Sequence, residues 1–467
     1  MNNFAIRSRQ VVTPEKVTAA TVTVKNGLID EILDYNANPS ANPDCPLLDL
    51  GELALMPGLV DTHVHINEPG RTDWEGFNTA TQAAASGGIT TLVDMPLNCI
   101  PVTTTRAALA QKLTAVAGKL WVDCGFWGGL IPSNTPSRDT AETLEELLEA
   151  GVLGVKSFLI DSGIEEFPPV TEAQMRRAIP VLARFKVPYL VHAELDQNHT
   201  QPAAIGRAYN SFLQSRPKQW ENAAVQLMIR LCRDAKAEGL DSRVHIVHLS
   251  SAEALEDIAR ARRDGLNITV ETCPHYLTLC AEAIPDGKTL FKCCPPIREH
   301  HNRERLWQGL AQGLIDFIVS DHSPCTPQLK HIDSGDIEKA WGGISALQFG
   351  LPLIWSEARG RGFDLADIAR LMSTATADFV GLGHKKGRIA PGYHADLLVF
   401  DPEAEYEIDP AMIKHRHKIT PYAGKKVTGE IQKTYLRGRL IYDNRVQDNF
   451  HEDIDTPLGR PLLRGKF

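Results

Sequence analysis

Two histidines stand one residue apart at the end of an apolar run, in the stretch Leu59-Val60-Asp61-Thr62-His63-Val64-His65. Residues two apart on a strand point to the same face. His63 and His65 therefore present two imidazoles in one direction, which suits a pair of metal ligands. Other short apolar runs carry Lys156 (GVKSF), His192 (VHAE), His248 (HIVHLSS) and Asp321 (SDHSP) at their C-terminal ends. Each has an ordinary reading by itself: a hydrogen-bonded core histidine, an edge lysine, an aspartate closing a turn. Together, four imidazoles, an amine and a carboxylate on five strand ends are the parts of a metal centre. Spacing separates near neighbours. His245 and His248 are three apart, so an undistorted strand turns them to opposite sides. His248 is assigned to the strand mouth and His245 to the surrounding helix layer. Asp321 and His322 diverge in the same way, and the carboxylate is the expected ligand.

Lys156 is the odd member, because a cationic amine beside metal ions is repelled. Reaction with CO2 turns the amine into a carbamate, an anion whose two oxygens can bridge two ions. Carbamate, Asp321 and a bridging hydroxide then offset three of the four charges of two divalent ions. The remaining charge can polarise a carbonyl and hold a hydroxide near neutral pH. Zinc lowers the pKa of bound water to ~7, and paired ions ~3.5–4 Å apart suit delivery of a nucleophile. Histidine and carboxylate ligands favour zinc and also admit cobalt, iron or manganese.

Such residues need strand ends brought together. Eight strand candidates alternate with helical stretches between residues 56 and 384, among them helices over 171–186 and 251–266. That is the count of a (β/α)8 TIM-like barrel, whose chemistry sits at the C-terminal strand ends. A doubly wound open sheet is the alternative, but no Gly-x-Gly-x-x-Gly follows an early strand. Residues 1–55 and 385–467 read as strands. Asn26-Gly27 between two apolar runs signals a hairpin. Both ends are expected to build one small composite β domain. Asn98, in MPLN, either faces the barrel mouth or serves a turn or cap for a helix expected over 103–120.

Bulk properties bound the partners. The 467 residues are 43% hydrophobic, with 49 basic against 58 acidic residues and a net charge of −9. This argues against nucleic acid or an anionic membrane surface and suits a small neutral substrate. The N-terminus carries no secretory apolar segment and no run reaches transmembrane length. Nine cysteines without a Cys-x-x-Cys pair point to a reducing cytoplasm.

Over nearly its whole length the chain resembles the cyclic-amidase branch of the amidohydrolase superfamily. The likeness rests on PGLVDTHVHINEPG, GVKSF, VHAE, HIVHLSS, SDHSP and KKGRIAPGYHADLLVFD (385–401). It implies a binuclear centre in which His63 and His65 bind one ion and His192 and His248 the other. Carboxylated Lys156 would bridge them, and Asp321 would be both ligand and general acid/base. HINEPGRTDWEGF, DMPLN, KCCPPIR and KAWGGI resemble members that open the hydantoin ring of allantoin to give allantoate. The resemblance implies ring-amide contacts from backbone at Cys294 and Gly342, with Asn98 and Asn67 as further substrate contacts, and a homotetramer. Dihydroorotases typically carry Arg where this chain has Asn67. Hydantoinases and dihydropyrimidinases typically carry a Tyr oxyanion donor where it has Asp161. A hydantoinase- or dihydropyrimidinase-type amidase is the alternative activity. A non-catalytic scaffold on the same fold is a third reading.

Overall fold

The computed structural model describes residues 3–37, 45–136, 141–196, 204–446 and 457–466. Nine strand segments make the barrel wall: β6 (Leu59–Val64), β7 (Ile89–Asp94), β8 (Asp123–Phe126) with its continuation β9 (Gly128–Gly129), β10 (Val155–Phe158), β11 (Pro188–His192), β12 (Arg243–Ile246), β13 (Ile268–Thr272) and β14 (Phe317–Ile318). All neighbours pair in parallel. The ring closes through a parallel bridge between Val64 and His322, and through Ser320 N–H on the Asp61 carboxylate. Counting β8 and β9 as one strand, this is the (β/α)8 barrel expected from the apolar runs.

Buried parallel strands are apolar on both faces, and β6, β7, β8, β10 and β11 are buried throughout. The helices between them follow local signals. Thr171 and Gln174 form a reciprocal cap at the start of the helix Glu172–Phe185. The helix expected over 103–120 spans Arg106–Ala115 and is capped by Thr105, so Asn98 is not its cap. At the bottom of the barrel the Phe379 ring lies 6.0 Å from Trp127, 5.1 Å from Phe317 and 4.4 Å from His245. These three residues come from separate strands, so they meet only inside the barrel.

A second sheet takes strands from both ends of the chain: β1 (Asn3–Val12), β2 (Val17–Lys25), β3 (Leu28–Asp34), β4 (Leu47–Asp49), β5 (Ala54–Pro57), β15 (Leu397–Glu407), β16 (Lys426–Leu436) and β17 (Arg439–Asp443). β2 and β3 are joined by Asn26 and Gly27, both at positive φ (54° and 82°), as a two-residue hairpin with the strand twist requires. β5 joins the halves, pairing with β1 on one side and β15 on the other. The tail departs from the expected composite unit. β18 (Pro461–Leu462) pairs in parallel with β8, because Arg437 Nη2 and Leu120 O draw residues 458–459 onto the barrel edge.

Sheet and barrel are joined by buried charge. Lys386 Nζ lies 2.7 Å from Asp123 Oδ2 and 2.6 Å from Asp396 Oδ2, and Arg437 Nη1 also bonds Asp123. Burial alone would raise the Asp123 carboxyl, but the two cations hold it below its ordinary value. Removing one member of a buried pair typically costs ~3–5 kcal/mol, because the partner charge stays behind. Lys386→Ala is therefore expected to lower unfolding stability by that order, read as a shift in the urea midpoint. A shift within experimental scatter would show that the cluster does not hold the two sheets together.

Candidate metal centre

Six side chains rise to one end of the barrel from the ends of β6, β10, β11, the segments after β12 and β14. The His63 and His65 ring centroids are 5.4 Å apart, His63 and His248 are 5.4 Å apart, and His192 and His248 are 4.6 Å apart. Asp321 Oδ1 lies 3.3 Å from His63 Nε2 and 3.6 Å from His65 Nε2. Lys156 is fully buried beside them, its Nζ 5.1 Å from the Phe158 ring centroid.

Hydrogen bonds behind three of the four imidazoles select the nitrogen that faces the centre. His63 Nδ1 sits 2.5 Å from Glu271 Oε1, and His65 Nδ1 sits 3.0 Å from Leu97 O. An acceptor at Nδ1 places the proton there and leaves the Nε2 lone pair free. His192 Nε2 donates to Glu194 Oε2 at 2.7 Å, which leaves Nδ1 for an ion. Glu194 is held in turn by Arg216 through Nε (3.0 Å) and Nη2 (2.5 Å). Burial would raise the Glu194 carboxyl, but Arg216 and His192 keep it well below the usual carboxylate range.

This arrangement fits a cation. The two imidazole Nε2 atoms and the Asp321 oxygen are lone-pair donors facing one another. Tetrahedral zinc with nitrogen and oxygen ligands at ~2.0–2.1 Å sets its ligands ~3.3 Å apart, close to the distances found. His63, His65 and Asp321 offer their ligand atoms within 4.8 Å of one another. His63 Nε2, His248 Nδ1 and Lys156 Nζ are buried with no hydrogen-bond partner among the described residues, an expensive condition for polar atoms. Burial also turns each group against its own charge. It pushes the Asp321 carboxyl up to about 7 against the pull of Lys156. It pushes the Lys156 amine down to about 8 against Asp321 and Glu271. It pushes His65 down to about 3 and His192 to about 4, so both are the neutral imidazoles that bind metal.

Backbone geometry supplies the aim. His248 (φ 39°) and Asp321 (φ 43°) both adopt the left-handed region. Non-glycine residues enter it at a cost of ~1–3 kcal/mol, and such residues cluster at functional sites. The turn at His248 also corrects the expectation for His245. β12 ends at Ile246, the left-handed residue resets the alternation, and both histidines point inward. His245 Nε2 lies 3.0 Å from Glu271 Oε2, below the centre. Glu271 thus spans His63 and His245 and accepts the His248 N–H at 3.3 Å. Neither Glu271 nor the Glu194–Arg216 pair was picked out from the sequence. The one charged residue in the otherwise β-branched run Ile268–Thr272 is the available signal for the first.

The centre is the floor of a cavity of about 390 Å³. Its walls include Asn98, Asp161, Arg216, Lys292, Cys294, Trp341 and Gly342. A Cβ built on Gly342 would sit 3.4 Å from Cys294 Sγ, so these two expected contacts adjoin. Asn67 does not line the cavity. β6 has ended at Val64, so same-face spacing from His65 no longer holds. Asn67 Nδ2 donates to Pro324 O at 3.1 Å, and its Oδ1 accepts from Asn98 Nδ2 at 3.4 Å. It backs Asn98 rather than facing a ligand. Arg71 reaches the same point from outside, with Nη1 2.6 Å from Asn98 O. Asp161 Oδ1 accepts the Gly163 N–H at 3.0 Å, closing its own turn.

A barrel floored by imidazoles and a carboxylate defines a class of barrel hydrolases, and the chain belongs to the amidohydrolase family, whose profile matches residues 54–441. It is 49% identical over 464 residues to a Streptomyces avermitilis protein named allantoinase, covering 99% of this chain and 98% of that one. It is 48% identical over 420 residues to the allantoinase of Saccharomyces cerevisiae, covering 89% and 88%. Among solved structures it is similar to the L-hydantoinase (dihydropyrimidinase) of Arthrobacter aurescens, with a TM-score of 0.88, 26% identity and coverage of 99% and 100%.

Carboxylates that orient a ligating histidine typically contribute ~10–100-fold in metal affinity. Glu271→Gln is expected to weaken divalent-ion binding by that factor, read by competition with a chromophoric chelator. Unchanged affinity in a folded variant would remove Glu271 from the support of His63.

Proposed function

We propose that this protein opens the hydantoin ring of allantoin by hydrolysis, giving allantoate. The class of reaction, hydrolysis of a cyclic amide C–N bond, follows from the family and from relatives named allantoinase that match it almost end to end. The observation that carries the site reading is the buried Lys156 amine, without a hydrogen-bond partner among the described residues and sharing the cavity lining with Asp321, His65, His192 and His248.

Burial favours the neutral form of that amine, which is the form that reacts with CO2. The N–C bond forms, a proton leaves, and the product is an anion suited to bridging two divalent ions. His63 and His65 would hold one ion, His192 and His248 the other, with Asp321 on the first pair's side. When bound, the ions supply an acidified water and a Lewis acid for the ring carbonyl; zinc is the favoured metal, with cobalt, iron or manganese admitted. The chain does the rest. Asp321, poised near neutrality, takes the proton from the attacking water at Oδ and delivers it to the leaving ring nitrogen. Asn98 and the backbone at Cys294 and Gly342 line the walls where the ring and its ureido tail sit. The catalytic unit is 56–384, and the assembly is a homotetramer. The nine free cysteines suit a reducing compartment such as the cytoplasm.

The hydantoinase reading has its own support in the solved structures. Against it, Asp161 is turned onto Gly163 N–H and offers no phenolic donor. Dihydroorotate would need a partner for its carboxylate. Arg216 is engaged by Glu194, Lys339 by Asp336 at 3.3 Å and Lys292 Nζ by the Glu338 and Ala340 carbonyls, and Asn67 brings no charge. A missing charge-assisted contact is typically worth ~1.5–3 kcal/mol, roughly tenfold to a hundredfold. Turnover of allantoin should therefore exceed that of dihydroorotate by at least this ratio in kcat/KM. Comparable values would overturn the substrate while leaving the centre in place.

A positioned acid contributes typically ~10²–10⁴-fold. Asp321→Asn should keep part of the metal and lose kcat by that order. Activity within a few-fold of the unmutated protein would exclude Asp321 from proton transfer.

A further inference from the structure

Behind the cavity wall lies a lysine that no step above uses. Lys330 is 2% exposed and forms no ion pair among the described residues. Its neighbours in charge are Cys325, Cys293, Cys294 and Lys292, none of them a carboxylate, and burial pushes its amine below the ordinary value. Such a burial is costly unless every donor is used. Here they are: Nζ donates to Trp341 O at 2.9 Å, to Gly343 O, and to Lys292 O at 3.5 Å. An ammonium has three donors, and each takes one backbone carbonyl.

The carbonyls belong to the two loops that form one side of the cavity. Lys292, Cys293, Cys294, Trp341, Gly342 and Gly343 all line it, whereas Lys330 does not. The loops are further tied by Gly343 N–H on Lys292 O at 2.8 Å. Lys292 Nζ adds bonds to Glu338 O (2.9 Å) and Ala340 O (2.7 Å). The peptide bonds after Trp341 and Lys292 are trans, so each N–H points opposite to its carbonyl. Carbonyls drawn back toward Lys330 leave the Gly342 and Cys293 N–H groups turned the other way, toward the cavity these residues line.

We propose that Lys330 is a positioning residue for substrate binding: its ammonium anchors the Lys292, Trp341 and Gly343 carbonyls so that the Gly342 and Cys293 N–H groups are aimed at a ring carbonyl. This rests on the reading that a cyclic ureide occupies the cavity. A hydantoin ring has two carbonyls. One must meet the centre at the floor, and the other needs donors on the opposite wall. Neutral backbone N–H groups hold a neutral carbonyl without demanding a charge, and a charge behind the wall orders them while staying out of reach of the substrate.

The test compares Lys330→Met with the unmutated protein. Loss of a hydrogen bond made equally before and during reaction raises KM and leaves kcat in place. A neutral contact is worth roughly tenfold, so KM should rise ~10-fold while kcat and metal content stay near the unmutated values. Lys330→Arg, which keeps charge and donors, should recover most of the affinity. Unchanged KM, or a fall in kcat accompanied by loss of metal, overturns the proposal. If Lys330→Met yields no folded protein, Lys330→Gln is read by the same criteria. Failure of all three variants to fold also overturns it, since Lys330 would then serve folding rather than binding. KM is measured on whichever of allantoin and hydantoin the unmutated protein opens. Opening of hydantoin alone sinks the substrate reading and leaves the Lys330 comparison intact, and opening of neither overturns both.

Discussion

A buried amine with no hydrogen-bond partner among the described residues is the condition to which the rest of the site answers. Lys156 sits on β10, whose four residues are all buried, and among the described residues it forms no hydrogen bond or ion pair. As an ammonium it would repel any cation held by the imidazoles a few ångströms away. As a carbamate it becomes the anion that the four neutral imidazoles lack. The neighbours are consistent with this second state. Burial turns the histidines neutral and raises the carboxyls at Asp321, Asp61 (to about 6) and Glu271 (to about 8), so these groups offer lone pairs with little net charge of their own, and two cations bound there would call for a further anion such as a carbamate.

Holding the constellation still is the work of residues one step further out. Glu271 ties β13 to His63 on β6 and to His245 on β12. Asp61 accepts His63 N–H and Ser320 N–H and so locks the first barrel strand to the last, beside Asp321. Glu194 and Arg216 perform the same task for His192 from the far wall. Two left-handed residues, His248 and Asp321, convert straight strands into side chains that converge on the axis. Around this, the buried Lys386–Asp123–Asp396 cluster joins the barrel to the sheet made from both chain ends.

Much of this frame was legible in the sequence because its causes are local. Parallel barrel strands are short apolar runs, and all eight were found that way. Asn26-Gly27 marked its hairpin, and the Thr171 start marked its helix. The six candidate ligands were legible by type and by their place at strand ends. What was not legible depends on backbone turns or on distant pairing. His245 points inward because a left-handed residue at 248 breaks the alternation that spacing assumes. Asn67 turns away because its strand has already ended at Val64. Glu194 meets Arg216 across 22 residues and Lys330 meets Trp341 across 11, distances at which no periodicity operates. The tail at 461–462 joins the barrel edge through the Arg437 and Arg464 side chains and backbone bonds to Leu120, Cys124 and Gly151, long-range pairings that composition does not announce.

The central claim is that Lys156 serves as an anion made from CO2. The most direct measurement is reconstitution of metal-free protein with zinc, with and without ¹³C-labelled bicarbonate, counting ions per chain and recording the ¹³C spectrum. The account predicts two ions per chain only when bicarbonate is present, with a carbamate resonance that Lys156→Ala abolishes. Two tightly bound ions in the absence of bicarbonate, with an unmodified amine at Lys156, would contradict it.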